Sequence, residues 1–557
     1  MRHTARLAPA LLAALVLGAC STTGESPVAD HAQPAPVDVP APPPAPPAPP
    51  APPAPGAMPL ALESITVTGS RFPGQPAITE RYAEFDDNPV RRTIEQPVST
   101  FSVDVDTGSY SNVRRMLLSG VRPPADAVRT EEFINYFHYG HPAPETGDVP
   151  FRVSAELAPA PWNAERRLLM IGIKGHDIPR DQLPPANLVL LVDTSGSMHS
   201  PDKLPLLKRA LGMLVRQLRP QDTVAIVAYA GSAGLVLPPT PGDRQGEILA
   251  ALSQLEARGS TNGGEGIRLA YDLARQSFVQ GGSNRVLLAT DGDFNVGTVD
   301  QGALETLVSD QRASGIALTT LGFGSGNYND ALAERLADLG NGNHAYIDSA
   351  LEARRVLVEA MGSTLATIAS DVKVQVEFNP ALVAEYRLVG YENRVLRNED
   401  FANDRVDAGE IGAGHEVTAL YEITPVGSAA TRLPPLRYGG EDRAMGSTDE
   451  VAHLRLRYKK PGTNDSLLIE TPIAASRLQS SPSEALRLAA AVSGFADILR
   501  GGTNTDGWGW DGVLAAVRAS GDPRAAPARG EFLELVELAR GIIEPTATDN
   551  GLGSTSP

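Results

Sequence analysis

Residues 188–197 constrain this chain more tightly than any other stretch. Leu188-Val189-Leu190-Leu191-Val192 is continuously apolar, the pattern of a strand buried on both faces of a parallel sheet. Asp193, Ser195 and Ser197 follow where that strand ends, and a helix-like run from Lys203 to Leu218 comes after them. Ligands of open α/β sheets sit outside the carboxyl ends of the strands. The loop therefore offers one carboxylate and two hydroxyls to a single point in space. Such hard oxygens suit Mg²⁺ or Mn²⁺ and suit zinc poorly. Read alone, the same spacing also describes a strand-to-helix turn capped by Asp and Ser.

The surrounding sequence alternates strand and helix periods from about residue 187 to 370, as a βα fold requires. Strands are predicted at Thr223 to Ala228, Arg285 to Ala289, Ala317 to Phe323 and His344 to Ile347. Helices are predicted at Arg244 to Leu255, Gly266 to Gln276, Ala303 to Ala313, Asp330 to Leu339 and Ala350 to Thr367. Before this unit, Thr100 to Thr107 alternates as a strand. Helices at Tyr110 to Leu118 and Val128 to Phe137 follow, then strands at Pro150 to Leu157 and Arg167 to Lys174. After it, strand patterns recur at Val372 to Phe378, Glu385 to Tyr391, Glu416 to Ile423, Val451 to Tyr458 and Leu467 to Pro472. Helical spacing returns at Ser483 to Leu499 and Arg529 to Ile542. The expected class is α/β: a doubly wound, mostly parallel Rossmann-like domain inserted between β-rich flanks, with a helical C-terminal part.

The motif resembles the metal-ion-dependent adhesion site of the von Willebrand factor A family. That family needs a Thr from a later loop, and Gly259-Ser260-Thr261-Asn262 supplies Thr261. It needs an Asp after a central strand, and Thr290-Asp291-Gly292 supplies Asp291. The resemblance implies that Ser195, Ser197 and Thr261 ligate Mg²⁺ or Mn²⁺ directly, with Asp193 and Asp291 acting directly or through water. It leaves one coordination position for an Asp or Glu of a protein partner. The flanking phrases Ser102-Val103-Asp104-Val105-Asp106-Thr107-Gly108-Ser109-Tyr110, Arg129-Thr130-Glu131-Glu132-Phe133-Ile134-Asn135-Tyr136-Phe137 and Gly390-Tyr391-Glu392-Asn393-Arg394 resemble bacterial A-domain lipoproteins of the YfbK type. These carry an A domain between N- and C-terminal domains of their own.

The N-terminus points to the cell envelope. Arg2 and Arg6 precede an apolar run, Leu7 to Leu17, too short to span a bilayer and typical of a signal peptide. Leu17-Gly18-Ala19-Cys20 resembles the bacterial lipobox, which implies that Cys20 becomes the lipidated first residue. Ser21, in place of an Asp, favours the outer membrane. Cys20 is the only cysteine, so no internal disulfide can form. From Gln33 to Gly56 the chain is mostly Pro and Ala, a polyproline II spacer of roughly 70 Å at ~3.1 Å per residue. Ser64 to Arg71 reads as an ordered stub or linker, with a faint likeness to the start of a TonB-dependent receptor plug.

At 557 residues two to four domains are expected. The boundaries are a signal peptide (1–20), the spacer (21–57), an N-terminal α+β domain (58–186), the A domain (187–370), a C-terminal β-rich then helical domain (371–545) and a tail (546–557). A formal net charge of −18 argues against a nucleic-acid binder, which presents a basic face.

Other chemistries fit less well. Asp106-Thr107-Gly108-Ser109 with Asp193 would make an aspartic-protease pair only in an all-β fold with the carboxylates adjacent. A subtilase lacks its further segments here, and neither a G-x-S-x-G elbow nor a G-K-[ST] loop occurs. Asp291 to Asn295 opens like an EF-hand loop, but Val296 stands where glycine is required. Acidic residues from Asp400 to Glu410 read as a solvated turn, His199 as a surface residue, and Trp508 and Trp510 as core or loop anchors. The expected function is non-enzymatic binding of a partner at the envelope. The alternative is a hydrolase using the metal as a Lewis acid, for which no general base is tied to the motif by spacing.

Overall fold

Both faces of the strand Ala186–Asp193 are buried, as its unbroken apolar run requires. Leu188, Leu190 and Val192 enter one hydrophobic cluster and Val189 and Leu191 the other, so helices cover the sheet on both sides. In the computed structural model the sheet runs in the order His344–Ile347, Ile316–Phe323, Ser283–Thr290, Ala186–Asp193, Thr223–Tyr229, Ala233–Pro241. The first five strands are parallel and the last is antiparallel. This is a doubly wound α/β domain.

The structure describes residues 79–145, 149–260, 263–292, 301–437, 449–463, 465–522 and 526–544. The chain divides into two compact units, Met1–Phe72 and Pro73–Pro557, and every described residue belongs to the second. Cys20, the Pro/Ala spacer, the Ser64 to Arg71 stub and Thr261 lie outside the described residues. Among those described, no helix is long and apolar enough to cross a membrane.

The flanks form a sandwich of two antiparallel sheets. One runs Arg91–Arg92, Val383–Val389, Glu416–Pro425, Asn163–Gly175, Phe151–Ala160; the other runs Ile411–Gly412, Thr367–Phe378, Glu450–Lys459, Ser466–Ala474. Val98–Ser102 pairs with Thr367–Phe378, Phe101 lying opposite Val374, and Met170 lies opposite Leu420. Strands from either side of the α/β unit thus share sheets, and the unit is an insertion. Leu169, Ile171 and Ile173 fill the sandwich core, whereas Leu168 and Met170 face a helical layer. That layer consists of Gly108–Leu118, Thr130–Asn135, Glu484–Arg500, Gly509–Ala519 and Pro527–Ile543. Trp510 is buried there, and Trp508 lies 5.7 Å from Trp162, ring to ring.

Four local expectations are corrected. The strand expected over Thr100 to Thr107 ends at Ser102, because the chain turns to bring Asp104 and Asp106 against Arg394. The helix expected over Ala350 to Thr367 breaks into Ala350–Arg354, a π turn at Arg355–Glu359 and Met361–Leu365. Thr367 already belongs to a strand, where pairing with Ile411–Gly412 overrides helical spacing. Ala233–Pro241 is an unanticipated strand; its prolines read as loop, but it lies at the sheet edge, where missing N–H donors are tolerated. Gly509–Ala519 is an unanticipated helix.

The α/β domain is bound to the flanks by buried polar contacts. Helix Gly108–Leu118 lies along the edge strand His344–Ile347, where the Ser111 hydroxyl donates to the Tyr346 carbonyl at 2.7 Å. Arg114 holds Asp348 and Glu352 at 2.6 and 2.9 Å. Arg129, 1% exposed, pairs with Glu132 on its own side and with Asp330 and Glu334 of the α/β domain.

Candidate metal centre

Asp193 closes the central strand with its side chain buried. Its Oδ1 accepts the Ser195 backbone N–H at 2.8 Å, an Asx turn that swings the chain across the strand end. Oδ2 is buried and, among the described residues, makes no hydrogen bond of normal geometry, although the Tyr229 phenol acts on the carboxylate to favour its charged form. Ser195 Oγ and Ser197 Oγ lie 2.9 Å apart. Ser195 is buried and Ser197 exposed, so the hydroxyl pair leads from the carboxylate to solvent.

Two neighbours fix this loop. Thr194 donates through both its backbone N–H and its Oγ1 to the Tyr229 carbonyl, at 2.9 and 3.1 Å. The Arg258 N–H donates to the Thr194 carbonyl at 2.7 Å, and the Gly196 N–H to the Gly259 carbonyl at 3.0 Å. The loop that leads to Thr261 is therefore docked on the motif loop up to its last described residues.

Asp291 follows the strand Ser283–Thr290 and is fully buried. The next residue must be glycine. Gly292 has φ +91°, and a Cβ there would lie 2.3 Å from the Asn329 backbone nitrogen. Asp291 Oδ2 accepts a hydrogen bond from Lys203 Nζ at 2.9 Å. The Lys203 stem runs over Gly324, whose φ is +72° and whose added Cβ would lie 2.3 Å from the lysine Cγ and Cε. Sequence reasoning missed Lys203. It begins the helical run after the motif, and nothing in local spacing ties it to a residue 88 positions further on.

The electrostatics suit a cation. Burial pushes the Asp193 carboxyl up to about 6; Asp291 adds to the rise, while hydrogen bonds from Ser195 oppose it. Among the described residues no group of three or more His, Cys, Asp or Glu side chains is arranged to hold a metal, so a site here draws on hydroxyl oxygens. Asp193, Ser195, Ser197 and Asp291 fit a hard divalent ion in donor type, and among the described residues the buried Asp193 Oδ2 is underbonded. Lys203 is the one departure, a cation already seated on one of the carboxylates.

The competing residues lie elsewhere. Asp106 accepts the His344 N–H at 2.8 Å and faces Arg394. Asp404 is held by Arg457 and Ser466, and Asp407 by Arg312. His199 is exposed. The EF-hand-like stretch from Asp293 to Asn295 lies outside the described residues.

The chain is 48% identical over 476 residues to the uncharacterized protein YfbK of Escherichia coli (strain K12), an overlap spanning 84% of this chain and 82% of that one. This chain belongs to the YfbK family. The family described as uncharacterized protein YfbK, C-terminal, matches residues 363–542. Von Willebrand factor type A domain matches 188–293, and a further match described as von Willebrand factor covers 76–170. The uncharacterized protein sll0103 of Synechocystis sp. is 30% identical over 327 residues, 57% of this chain and 71% of that one. Among solved structures, von Willebrand factor type A from Catenulispora acidiphila is similar with a TM-score of 0.40 and 15% identity, covering 68% of this chain and 89% of that chain. The family places the α/β unit described above as an A domain, with its own sandwich and helical flanks.

Proposed function

We propose that this chain is a lipid-anchored protein of the bacterial cell envelope, at the outer membrane, whose A domain binds a protein partner through a divalent cation. Asp193, Ser195, Ser197, Thr261 and Asp291 hold Mg²⁺ or Mn²⁺, and an Asp or Glu of the partner completes the coordination. Cys20 carries the lipid, and the Pro/Ala spacer holds the folded part away from the bilayer. When bound, the ion supplies a point of attraction for a carboxylate. The protein's own residues do the rest: Thr194 and Gly196 fix the loop, buried Asp193 and Asp291 face the cation, and exposed Ser197 lines the approach.

One observation carries this reading. Hydroxyl and carboxylate oxygens gather at the carboxyl edge of the sheet, with Asp193 Oδ2 buried and, among the described residues, lacking a good hydrogen bond. A binding module is favoured over a hydrolase, because the imidazole of the motif loop, His199, is exposed and no general base is tied to the motif by spacing. Thermal unfolding in chelator and in Mg²⁺ tests the site. A ligand at a hundred-fold excess over its dissociation constant stabilises the native state by about 2.7 kcal/mol. Asp193→Ala and Asp291→Ala each abolish that shift, whereas His199→Ala preserves it. Crosslinking in intact envelopes then identifies partners captured by wild type and lost in Asp193→Ala. A melting temperature indifferent to Mg²⁺ and Mn²⁺, with captured partners unchanged by Asp193→Ala, would overturn the proposal.

A further inference from the structure

The two most exposed large apolar side chains among the described residues, Leu351 at 77% and Leu118 at 67%, line the same groove. This groove of about 680 Å³ has one wall from the A domain, Ala350–Arg354 and the π turn Arg355–Glu359, and the other from Pro527–Ile543 of the helical layer. Leu118 ends the helix beside them. Each wall offers one helix face. Leu351, Arg354 and Arg355 stand at i, i+3 and i+4, and Glu531, Glu534, Leu535 and Leu538 at i, i+3, i+4 and i+7. Phe532, Val536 and Ala539, on the other face of Pro527–Ile543, are buried in the helical core. Leu538 is exposed like Leu118 and Leu351. Three exposed leucines from three helices thus converge on one groove, the mark of an interaction surface and not of scattered exposure.

The charges around the leucines select the occupant. At the base, Arg114 holds Asp348 and Glu352, and the Tyr136 hydroxyl donates to Glu352 at 2.9 Å. On the A-domain wall Arg354 pairs with Glu359 at 3.1 Å. The facing wall is acidic. Glu531 is exposed and shares Arg114 at 2.8 Å, and Glu534 is exposed and makes no ion pair among the described residues. Five carboxylates line the groove against three guanidinium groups. A second copy presenting this same face would set like charges together. Residues 545–557, which follow the helix in the chain, carry one large apolar side chain, Leu552, and no Lys or Arg. A helix whose apolar stripe is bordered by cations matches both the leucines and the acidic wall. We propose that this groove receives a basic amphipathic helix of another protein, its apolar face on Leu118, Leu351 and Leu538 and its cations toward Glu531 and Glu534. The surface spans the A domain and the helical layer and does not rest on the metal reading.

The test uses the full chain and two labelled synthetic peptides of about fifteen residues, long enough to begin forming a helix. Both carry Leu at i, i+3, i+4 and i+7, with Lys at the remaining positions of one and Glu at those of the other. Fluorescence anisotropy is expected to show saturable binding of the Leu/Lys peptide, with the Leu/Glu peptide at least tenfold weaker. Leu351→Ser and Leu538→Ser change exposed side chains without altering charge, so both should fold, with unchanged melting temperatures, and each should weaken the Leu/Lys peptide at least tenfold. Leu235→Ser, which alters an exposed leucine on the edge strand Ala233–Pro241, should leave binding intact, as should Asp193→Ala. Glu534→Lys should weaken binding more at low salt than at high salt. Absence of saturable binding in wild type, or equal binding by Leu351→Ser and Leu538→Ser, would overturn the site. Equal binding of the two peptides would overturn the assignment of a basic partner. A wild-type dimer in sedimentation velocity that Leu351→Ser dissolves would give the groove to a second copy and overturn the proposal.

Discussion

Lys203 Nζ lies 2.9 Å from Asp291 Oδ2, and both side chains are buried at the carboxyl edge of the A-domain sheet. The ammonium neutralises one of two neighbouring carboxylates, and it does so where the proposed ion would draw on Asp291. A tethered cation in this position stabilises the metal-free protein and competes with the proposed metal.

Lys203→Met is therefore expected to lower the stability of the metal-free protein and to raise its affinity for the ion. In chelator the protein loses about 3–5 kcal/mol, the usual cost of breaking a buried pair by removing one partner. In Mg²⁺ the ion binds about tenfold more tightly, which returns ~1.4 kcal/mol of that loss relative to wild type. Unfolding curves over a Mg²⁺ titration measure both effects. Weaker Mg²⁺ binding in the variant would show that Lys203 assists the site instead of competing with it.

The part of this architecture that rests on short periods was legible in the sequence. Val189 and Leu191 on one face, with Leu188, Leu190 and Val192 on the other, require helices on both sides of a strand. Asp330–Leu339 and His344–Ile347 form over the residues their patterns mark. What was hidden depends on distant partners. Lys203 reaches Asp291 across 88 positions and Arg129 reaches Asp330 across 201, and no local spacing encodes either. Thr367 joins a strand because Gly412 lies opposite it. Ala233–Pro241 was obscured because proline signals a loop unless the strand is known to lie at an edge.

The proposed lipid anchor has a test that does not depend on the metal site. Two or more acyl chains at ~0.8 kcal/mol per buried CH₂ give stable membrane attachment, where one chain is marginal. Cys20→Ser should leave the protein in the soluble fraction or unprocessed. A variant that still sediments with membranes and resists salt and carbonate washing would exclude Cys20 as the anchor.

Acid stability should depend on Glu416. Burial pushes this carboxyl up, but the His138 imidazole 3.8 Å away and hydrogen bonds from the backbone N–H groups of His141 and Tyr139 outweigh it and bring the pKa down to about 2. The folded value thus lies below the unfolded one of about 4.3. The stabilisation is complete above the unfolded value and is lost as the pH falls from there toward 2. Its size is on the order of 1–2 kcal/mol once solvent screening is allowed for. Glu416→Gln keeps an acceptor for the Tyr139 N–H and removes the titration. Unfolding followed between pH 5 and 2 should show a shallower loss of stability in the variant; parallel curves would refute the assignment.

Arg129 should be the most sensitive single position at the seam between the A domain and its flanks. It is 1% exposed and faces Glu132, Asp330 and Glu334. Burial raises the Glu132 carboxyl to about 7 even with Arg129 opposing the rise. Burial pushes the Asp330 carboxyl up, but the charge of Arg129, with hydrogen bonds donated by His344 and Arg129, outweighs it and holds Asp330 well below the usual carboxylate range. Arg129→Met removes the cation and leaves Asp330 charged in a dry interface, at a cost of about 3–5 kcal/mol. Asp330→Asn in the same chain should return part of that loss, because the orphaned charge disappears with it. The difference between the double variant and the sum of the singles measures the coupling, expected at 0.5–3 kcal/mol or about that range for residues in direct contact. Additive losses would mean that Arg129 stabilises the seam through packing of its stem alone. A loss confined to the first of two separate unfolding transitions would show that the seam yields before either core.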